Sequence, residues 1–176
     1  MADTAAYTAE IHHRRSIRLQ GYDYAGAGAY FVTICAHDHN SLFGEIVDGK
    51  IVLNNMGQVV LACWNDLPHH YKNLELDFFT IMPNHVHGIM ALLDTTFVGA
   101  GLKPAPTGKR HGLPEMVRAL KTFSSKRINQ IRKTPGMPVW QRNYYDHVIR
   151  DDDDLNRIRE YVINNPANWQ EDEENR

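Results

Sequence analysis

Two histidines separated by a single valine are the first residues whose types and spacing could perform chemistry. His85 and His87 follow a Pro83-Asn84 break in the apolar stretch 78–93, which predicts two strands joined by a tight turn. Because side chains alternate faces along a strand, both imidazoles are expected on the same side. Two adjacent imidazoles are typical ligands of a divalent cation. Two ordinary histidines near a strand end would give the same pattern.

A tyrosine and an asparagine form a second pair. Tyr161 and Asn165 are four residues apart on a helix predicted over 152–164, so they share one helix face. If this helix packs across the histidine strand, a phenol, a carboxamide and two imidazoles converge. The Asn165 oxygen could then complete a metal site, and Tyr161 could attack a phosphodiester that the cation polarises. The simpler alternative is that Tyr161 packs in the core and Asn165 caps the helix.

The elements that must position these residues follow from hydrophobic periodicity and turn residues. Helices are predicted from residue 54 or 55 to 67, where Pro68 ends the first, and over 113–132 and 152–164. Asp48-Gly49 predicts a hairpin turn. Strands are predicted at 30–36, 42–47, 51–53, 78–82 and 85–92, with short extended segments at 139–142 and 147–150. This order predicts an α+β fold: an antiparallel sheet with helices packed on one face.

Length and composition indicate one ordinary globular domain. The chain has 176 residues, 43% hydrophobic and 23% charged, which is enough to bury a core. We expect a single domain over 1–176, with an N-terminal arm at 1–28, a mobile loop at 94–112 and an acidic tail at 170–176. No apolar run reaches membrane-spanning length and no signal core precedes the domain, so we expect a cytoplasmic protein.

The charges are unevenly distributed although the net charge is only −2. Residues 103–133 hold nine Lys or Arg and one acid, whereas residues 151–176 hold nine acids and three Arg. A concentrated basic segment indicates a surface for a polyanion, with a solvated helix face as the alternative. The acids at 151–154 are explained by capping and by the helix dipole, so we reject a calcium site there.

Four short motifs in this order resemble one family. They are PNHVHG at 83–88, WQR at 140–142, DHxIR at 146–150 and YVINNP at 161–166. Together they resemble the single-strand, HUH-type tyrosine transposases of insertion sequences, and most of all the branch of REP-associated tyrosine transposases. The resemblance extends over residues 30–169, which is most of the chain.

This resemblance implies a ferredoxin-like α+β fold with the histidine pair on a central strand. It implies a divalent cation, Mg²⁺ or Mn²⁺, held by His85, His87 and Asn165, where the better-known enzymes carry Gln. It assigns Tyr161 as the nucleophile that attacks single-stranded or hairpin DNA. The products would be a 5′-phosphotyrosine on the protein and a free 3′-hydroxyl, without an energy-rich cofactor.

The resemblance also gives the basic residues a role along a DNA backbone. Trp140 and Tyr144 would stack on unpaired bases or, alternatively, pack in the core or on the surface. His147 would support the site or be a buried structural histidine. The alternative function is a non-catalytic DNA-binding protein of the same fold. A phosphodiesterase that uses water would need a general base, and the sequence leaves monomer and homodimer open. The predicted DNA-contacting residues are Arg14, Arg15, Arg18, Lys109, Arg110, Arg118, Lys121, Lys126, Arg127 and Arg142.

Overall fold

The structure, a computed structural model, describes residues 22–94 and 111–175. The arm predicted at 1–28 and the loop predicted at 94–112 therefore lie mostly outside the described residues. No helix in the described ranges is long and apolar enough to cross a membrane. The strands are β1 (Gly28–Cys35), β2 (Gly44–Val47), β3 (Lys50–Leu53), β4 (Leu74–Ile81), β5 (His85–Leu92) and β6 (Tyr145–Ile149), and the helices are α1 (Asn55–His70), α2 (Leu113–Arg132) and α3 (Asp152–Asn164).

Four of the strands form one antiparallel sheet in the order β4-β5-β1-β6. With α1 between β1 and β4, and α2 between β5 and β6, this is the ferredoxin-like arrangement, so the predicted α+β fold is confirmed. Strands β2 and β3 form a separate hairpin. Its turn residues Asp48 and Gly49 have φ of 49° and 70°, the left-handed values that a two-residue hairpin turn requires.

The central strand β1 builds a different environment on each face of the sheet. Tyr30, Val32 and Ile34 are fully buried in the main core. Helices α1 and α2 close this face and contribute Trp64 and Leu120 among other side chains. These two helices form the layer that the sequence predicts on one face of the sheet. Apolar burial on this scale is the dominant favourable contribution to folding.

Helix α3 lies on the opposite face of the sheet. Its buried residues Ile158 and Val162 are four positions apart, so they share one helix face. They pack against Phe31 of β1 and Ile89 of β5 in a second, smaller apolar cluster. The helices therefore occupy both faces, with α1 and α2 on one and α3 alone on the other.

Polar contacts fix α3 to the sheet of its own chain. The guanidinium of Arg159 binds the carboxylate of Asp77 in β4, and its Nε lies 3.2 Å from both oxygens. Nε2 of His147 in β6 donates to Asp154 over 2.8 Å. Asp151 caps the helix by accepting from the backbone N–H of Asp154, as predicted for the acidic run. These contacts lie at the start and in the middle of the helix.

The first helix is longer than the sequence predicts. Pro68 lies inside α1 rather than ending it, and the helix continues to His70. A proline removes only one N–H, and near a helix end the turn still closes, here through the N–H of Tyr71 donating to the carbonyl of Leu67 over 2.9 Å. The prediction that Pro68 terminates the helix is therefore wrong.

Candidate metal and tyrosine site

The two histidines of β5 project from the same face of the sheet, as predicted. Their Nε2 atoms lie 2.9 Å apart, and both side chains are fully buried. Val86 between them points into the main core on the opposite face. The antiparallel register places His87 opposite Thr33 and His85 opposite Cys35. The imidazoles therefore stand beside the odd-numbered side chains of β1, under helix α3.

The hydrogen bonds of Asn84 define the tautomer of His85. The amide nitrogen of Asn84 donates to the backbone carbonyl of Glu174, so its Oδ1 faces Nδ1 of His85, at 2.8 Å. Because an amide oxygen only accepts, Nδ1 of His85 must donate. In neutral His85 this leaves the lone pair of Nε2 directed at His87. Such outer partners are what orient a metal-binding imidazole.

His87 is held by two residues of β1. Its Nδ1 is hydrogen-bonded to the hydroxyl oxygen of Thr33 at 2.9 Å. The ring of Phe31 stacks on the imidazole with the ring centroids 5.4 Å apart and an interplanar angle of 26°. These contacts leave Nε2 of His87 facing both His85 and the final helix. Sequence reasoning did not single out Thr33, because its role depends on strand register.

Helix α3 brings the tyrosine to the histidines. The phenol oxygen of Tyr161 lies 3.3 Å from Nε2 of His87. Its ring meets Phe31 edge to face, with the centroids 6.0 Å apart. Because Ile158 and Val162 anchor the helix on either side of it, Tyr161 is aimed at the imidazole. The convergence expected from the sequence is therefore present in the fold.

A carboxylate that the sequence did not indicate completes the group. After α3 the chain forms a short 3₁₀ turn, Trp169–Glu171, which leads Asp172 back over β5. Oδ2 of Asp172 lies 3.8 Å from Nε2 of His85, and the Asp172 side chain is 1% exposed. The potential ligand atoms of His85, His87 and Asp172 all lie within 4.8 Å of one another. The segment predicted as an acidic tail therefore forms part of the site.

Asn165 is joined to this group through Asp172. Its amide nitrogen donates to Oδ2 of Asp172 over 2.7 Å. Its Oδ1 is buried and has no hydrogen-bond partner among residues 22–94 and 111–175. A buried carbonyl-type oxygen without a donor is available to a cation or to a water molecule. Two imidazole nitrogens, a carboxylate oxygen and an amide oxygen form a donor set that fits a divalent cation.

Half of the predicted DNA-contacting residues lie within the described residues. Arg118, Lys126 and Arg127 on α2 are exposed, and so is Arg142 in the segment that follows. Arg118 and Arg142 line a groove of about 600 Å³ between α2 and residues 137–144. The other five residues lie outside the described part of the chain: Arg14, Arg15, Arg18, Lys109 and Arg110.

Lys121 differs from the four exposed basic residues just described, because its ammonium is partly buried. Its ammonium donates to the backbone carbonyls of Gln141, Arg142 and Asn143. Burial lowers the pKa of Lys121 to about 8, because a buried ammonium loses hydration. Its contacts therefore hold the 141–143 segment against α2.

Two further side chains have clear structural roles. Trp140 is 6% exposed, and its Nε1 donates to Oγ of Ser124 over 2.9 Å. Its ring centroid lies 4.7 Å from that of Phe43, so the structure agrees with the core-packing alternative for Trp140 rather than with base stacking. Tyr144 lines the groove. His147 binds Asp154 at the start of α3, which agrees with the structural alternative for this residue.

Comparison with known proteins identifies relatives of similar length. The chain is 38% identical to an uncharacterized protein of Haemophilus influenzae over 97% of both chains. It is 27% identical to a protein of the same organism named as a candidate REP-associated tyrosine transposase, over 82% of this chain and 73% of the relative. No family model matches the chain.

A solved structure has a similar fold. It is the structure of a REP-associated tyrosine transposase bound to a REP hairpin, with a TM-score of 0.57 and 16% sequence identity. The alignment covers 87% of this chain and 74% of the other. Together with the named relative, this likeness confirms the resemblance that the four motifs predict.

Proposed function

We propose that this chain, which resembles the REP-associated tyrosine transposases in sequence and in fold, is a metal-dependent DNA strand transferase. It would cleave and rejoin single-stranded or hairpin DNA through a phosphotyrosine on Tyr161. Homology to these transposases supports a transposase function in general. The one observation that carries the finer proposal is the 3.3 Å distance between the Tyr161 hydroxyl and Nε2 of His87.

The residues that would hold the cation are His85 and His87, together with Asn165 and Asp172. When bound, Mg²⁺ or Mn²⁺ polarises a phosphodiester oxygen and stabilises the negative charge that develops on it. Thr33 and Asn84 hold the two imidazoles in fixed orientations through their Nδ1 atoms. Mutual orientation that is set before substrate binds lowers the entropic cost of reaching the transition state.

Tyr161 would supply the nucleophile. Its phenol loses a proton as its oxygen forms a bond to phosphorus, and the bond from phosphorus to the 3′ oxygen of the preceding nucleotide breaks. That oxygen takes up a proton and leaves as a free 3′-hydroxyl. In the reverse sense, a 3′-hydroxyl attacks the phosphotyrosine and Tyr161 is released. The number of phosphodiester bonds is conserved over the cycle, so no external energy source is required.

The exposed cations supply a path for the DNA backbone. Arg118 and Arg142 face one groove, and Lys126 and Arg127 are exposed further along α2. Neutralising phosphates with such side chains releases counterions and gives salt-dependent affinity without base specificity. The relative of similar fold was solved bound to a REP hairpin, which supports hairpin DNA as the substrate to test first.

The test is a covalent adduct assay with a matched tyrosine control. The wild type, Tyr161→Phe and Tyr145→Phe are incubated with a hairpin oligonucleotide carrying single-stranded flanks and Mn²⁺, then run on a denaturing gel. Tyr145 also packs against Phe31. Tyr145→Phe therefore removes a phenolic hydroxyl from the same apolar cluster, and it serves as the matched control. We expect an adduct with the wild type and Tyr145→Phe, and none with Tyr161→Phe.

The opposite results have defined meanings. An adduct in Tyr161→Phe, or a phosphotyrosine that mass spectrometry places on Tyr144 or Tyr145, contradicts the assigned nucleophile. Hairpin binding by the wild type without any adduct favours a non-catalytic DNA-binding protein of this fold instead.

A further inference from the structure

We propose that Cys35, His39 and Glu174 form a second cation site, which binds a thiophilic divalent metal, with Zn²⁺ as its preferred ion. The three residues come from the end of β1, from the 3₁₀ turn His37–His39 and from the C-terminal segment. Their potential ligand atoms all lie within 4.8 Å of one another. This group shares no residue with the histidine site.

Two of the three distances between the donor atoms are close to those of a tetrahedral zinc centre. Sγ of Cys35 lies 3.5 Å from Oε2 of Glu174, and Nδ1 of His39 lies 3.2 Å from the same oxygen. Zinc bonds of about 2.3 Å to sulfur and about 2.0–2.1 Å to nitrogen or oxygen give tetrahedral edges of about 3.3–3.6 Å. These two distances are within about 0.1 Å of those edges, and Sγ of Cys35 lies within 4.8 Å of the His39 ligand atom, so a small adjustment would let all three donors bind one ion.

The charge and the exposure of the group also suit a zinc ion. A thiolate and a carboxylate carry two negative charges, and a neutral imidazole adds none, so the set balances a divalent cation. The side chains of His39 and Glu174 are 23% and 13% exposed, which gives an ion access and leaves room for water as a fourth ligand. A thiolate favours Zn²⁺ over Mg²⁺ or Mn²⁺, which separates this site chemically from the histidine pair.

The backbone around His39 is unusual for residues with side chains. Asp38 and His39 have φ of 55° and 52°, in the left-handed region that non-glycine residues rarely adopt. Two such residues in succession cost free energy unless the surroundings hold them. This conformation places the His39 imidazole against Glu174.

Occupancy of the second site would restrain the segment that completes the first. The backbone N–H of Glu174 donates to Oδ1 of Asp172 over 2.7 Å, and its carbonyl accepts from Asn84. Asn84 in turn fixes His85. A metal bound to Glu174 would therefore fasten Asp172 over the histidines. The second ion would have a structural role, and the reaction itself would not require it.

The test uses Co²⁺ as a spectroscopic probe of thiolate ligation in the full chain under reducing conditions. Tetrahedral cobalt bound to a thiolate shows an intense charge-transfer band in the near ultraviolet, which imidazole and carboxylate ligands alone do not produce. We expect the band with the wild type and with Cys63→Ser, and its loss in Cys35→Ser. Cys63 is the matched control, because the sequence has only two cysteines.

Two further variants test the other donors. His39→Ala and Glu174→Gln should each weaken Co²⁺ or Zn²⁺ binding at least tenfold, whereas His87→Ala and Tyr161→Phe should retain the band. The last two variants keep this test separate from the proposed strand transfer. Absence of the band in the wild type, its survival in Cys35→Ser, or unchanged affinity in Glu174→Gln would each overturn the proposal.

Discussion

The carboxylate of Asp172 accepts a hydrogen bond of 2.7 Å from the amide of Asn165, which joins the C-terminal segment to the end of the final helix. The same carboxylate oxygen is 3.8 Å from Nε2 of His85. Oδ2 of Asp172 therefore lies between the end of the helix that carries Tyr161 and the strand that carries the histidines. The site is closed by the last residues of the described chain.

Asp172→Asn is expected to weaken Mn²⁺ binding about tenfold or more, because an amide is a poorer ligand for a hard cation than a carboxylate. The measurement is titration of free Mn²⁺ by electron paramagnetic resonance. Asp153→Asn is the control, since Asp153 is exposed at the start of α3 and belongs to no ligand group of the described residues. Equal affinity of the wild type and Asp172→Asn would show that Asp172 is not a ligand.

Either His85→Ala or His87→Ala is expected to abolish Mn²⁺-dependent cleavage, because one imidazole, one carboxylate and one amide are too few to retain the ion at low concentration. Both side chains are buried, so the folding of each variant must be checked by thermal unfolding. Full cleavage by the double alanine variant, with the fold retained, would contradict the metal site.

The basic residues are expected to separate into two classes. Neutralising Arg118, Lys126 and Arg127 together should lower the slope of log affinity against log salt by about 2, if each contacts one phosphate of single-stranded DNA. Lys121→Met should instead reduce the free energy of unfolding and leave the slope nearly unchanged, because Lys121 binds three backbone carbonyls. Filter binding across a salt series and denaturant unfolding measure the two effects. An unchanged slope in the triple variant would place the DNA path elsewhere.

Asp154 should make stability depend on pH in the acid range. Burial alone raises the pKa of Asp154, but hydrogen bonds from His147 and Arg157 outweigh it, so the net pKa is lowered. A carboxylate with a lowered folded pKa contributes stability above its unfolded pKa, and this contribution is lost as pH falls through the folded value.

The check is denaturant unfolding of the wild type and Asp154→Asn at several pH values. At pH 7 the variant should be less stable by about 1–3 kcal/mol, because a buried hydrogen-bonded network is broken. The difference should begin to shrink only below the unfolded carboxylate pKa of about 3.9, and it should be lost as the pH falls through the lower pKa of folded Asp154. A difference that stays constant from pH 7 to pH 3 would contradict this assignment.

The sequence predicts those parts of the site that depend on local spacing. The His85–His87 pair follows from strand alternation, and the Tyr161–Asn165 pair follows from helix periodicity. Asp172 has no such signal, because its position depends on a 3₁₀ turn that returns the chain to β5. Thr33 and Asn84 could be assigned only once the pairing of β1 with β5 was known.

Two side-chain environments that the sequence did not predict have the same origin. Trp140 follows an exposed basic helix and precedes Arg142, so its sequence position is typical of a residue that stacks on bases. In the structure an isolated β-bridge joins the backbones of Trp140 and Ala36, and this pairing places the Trp140 ring in the core. The burial of the Lys121 ammonium likewise depends on residues 141–143 folding back against α2, where their carbonyls accept its hydrogen bonds. Periodicity identifies helices and strands, whereas contacts between distant segments decide which polar groups become buried.

The packing of α3 on its own sheet has a kinetic consequence for the proposed reaction. Because Arg159 binds Asp77 and Tyr161 reaches His87 within one chain, nucleophile and metal ligands are held together at a fixed effective concentration. At saturating DNA, the rate of adduct formation per chain is then independent of protein concentration. If the reaction proceeds within one chain, as these contacts predict, dilution should not slow adduct formation.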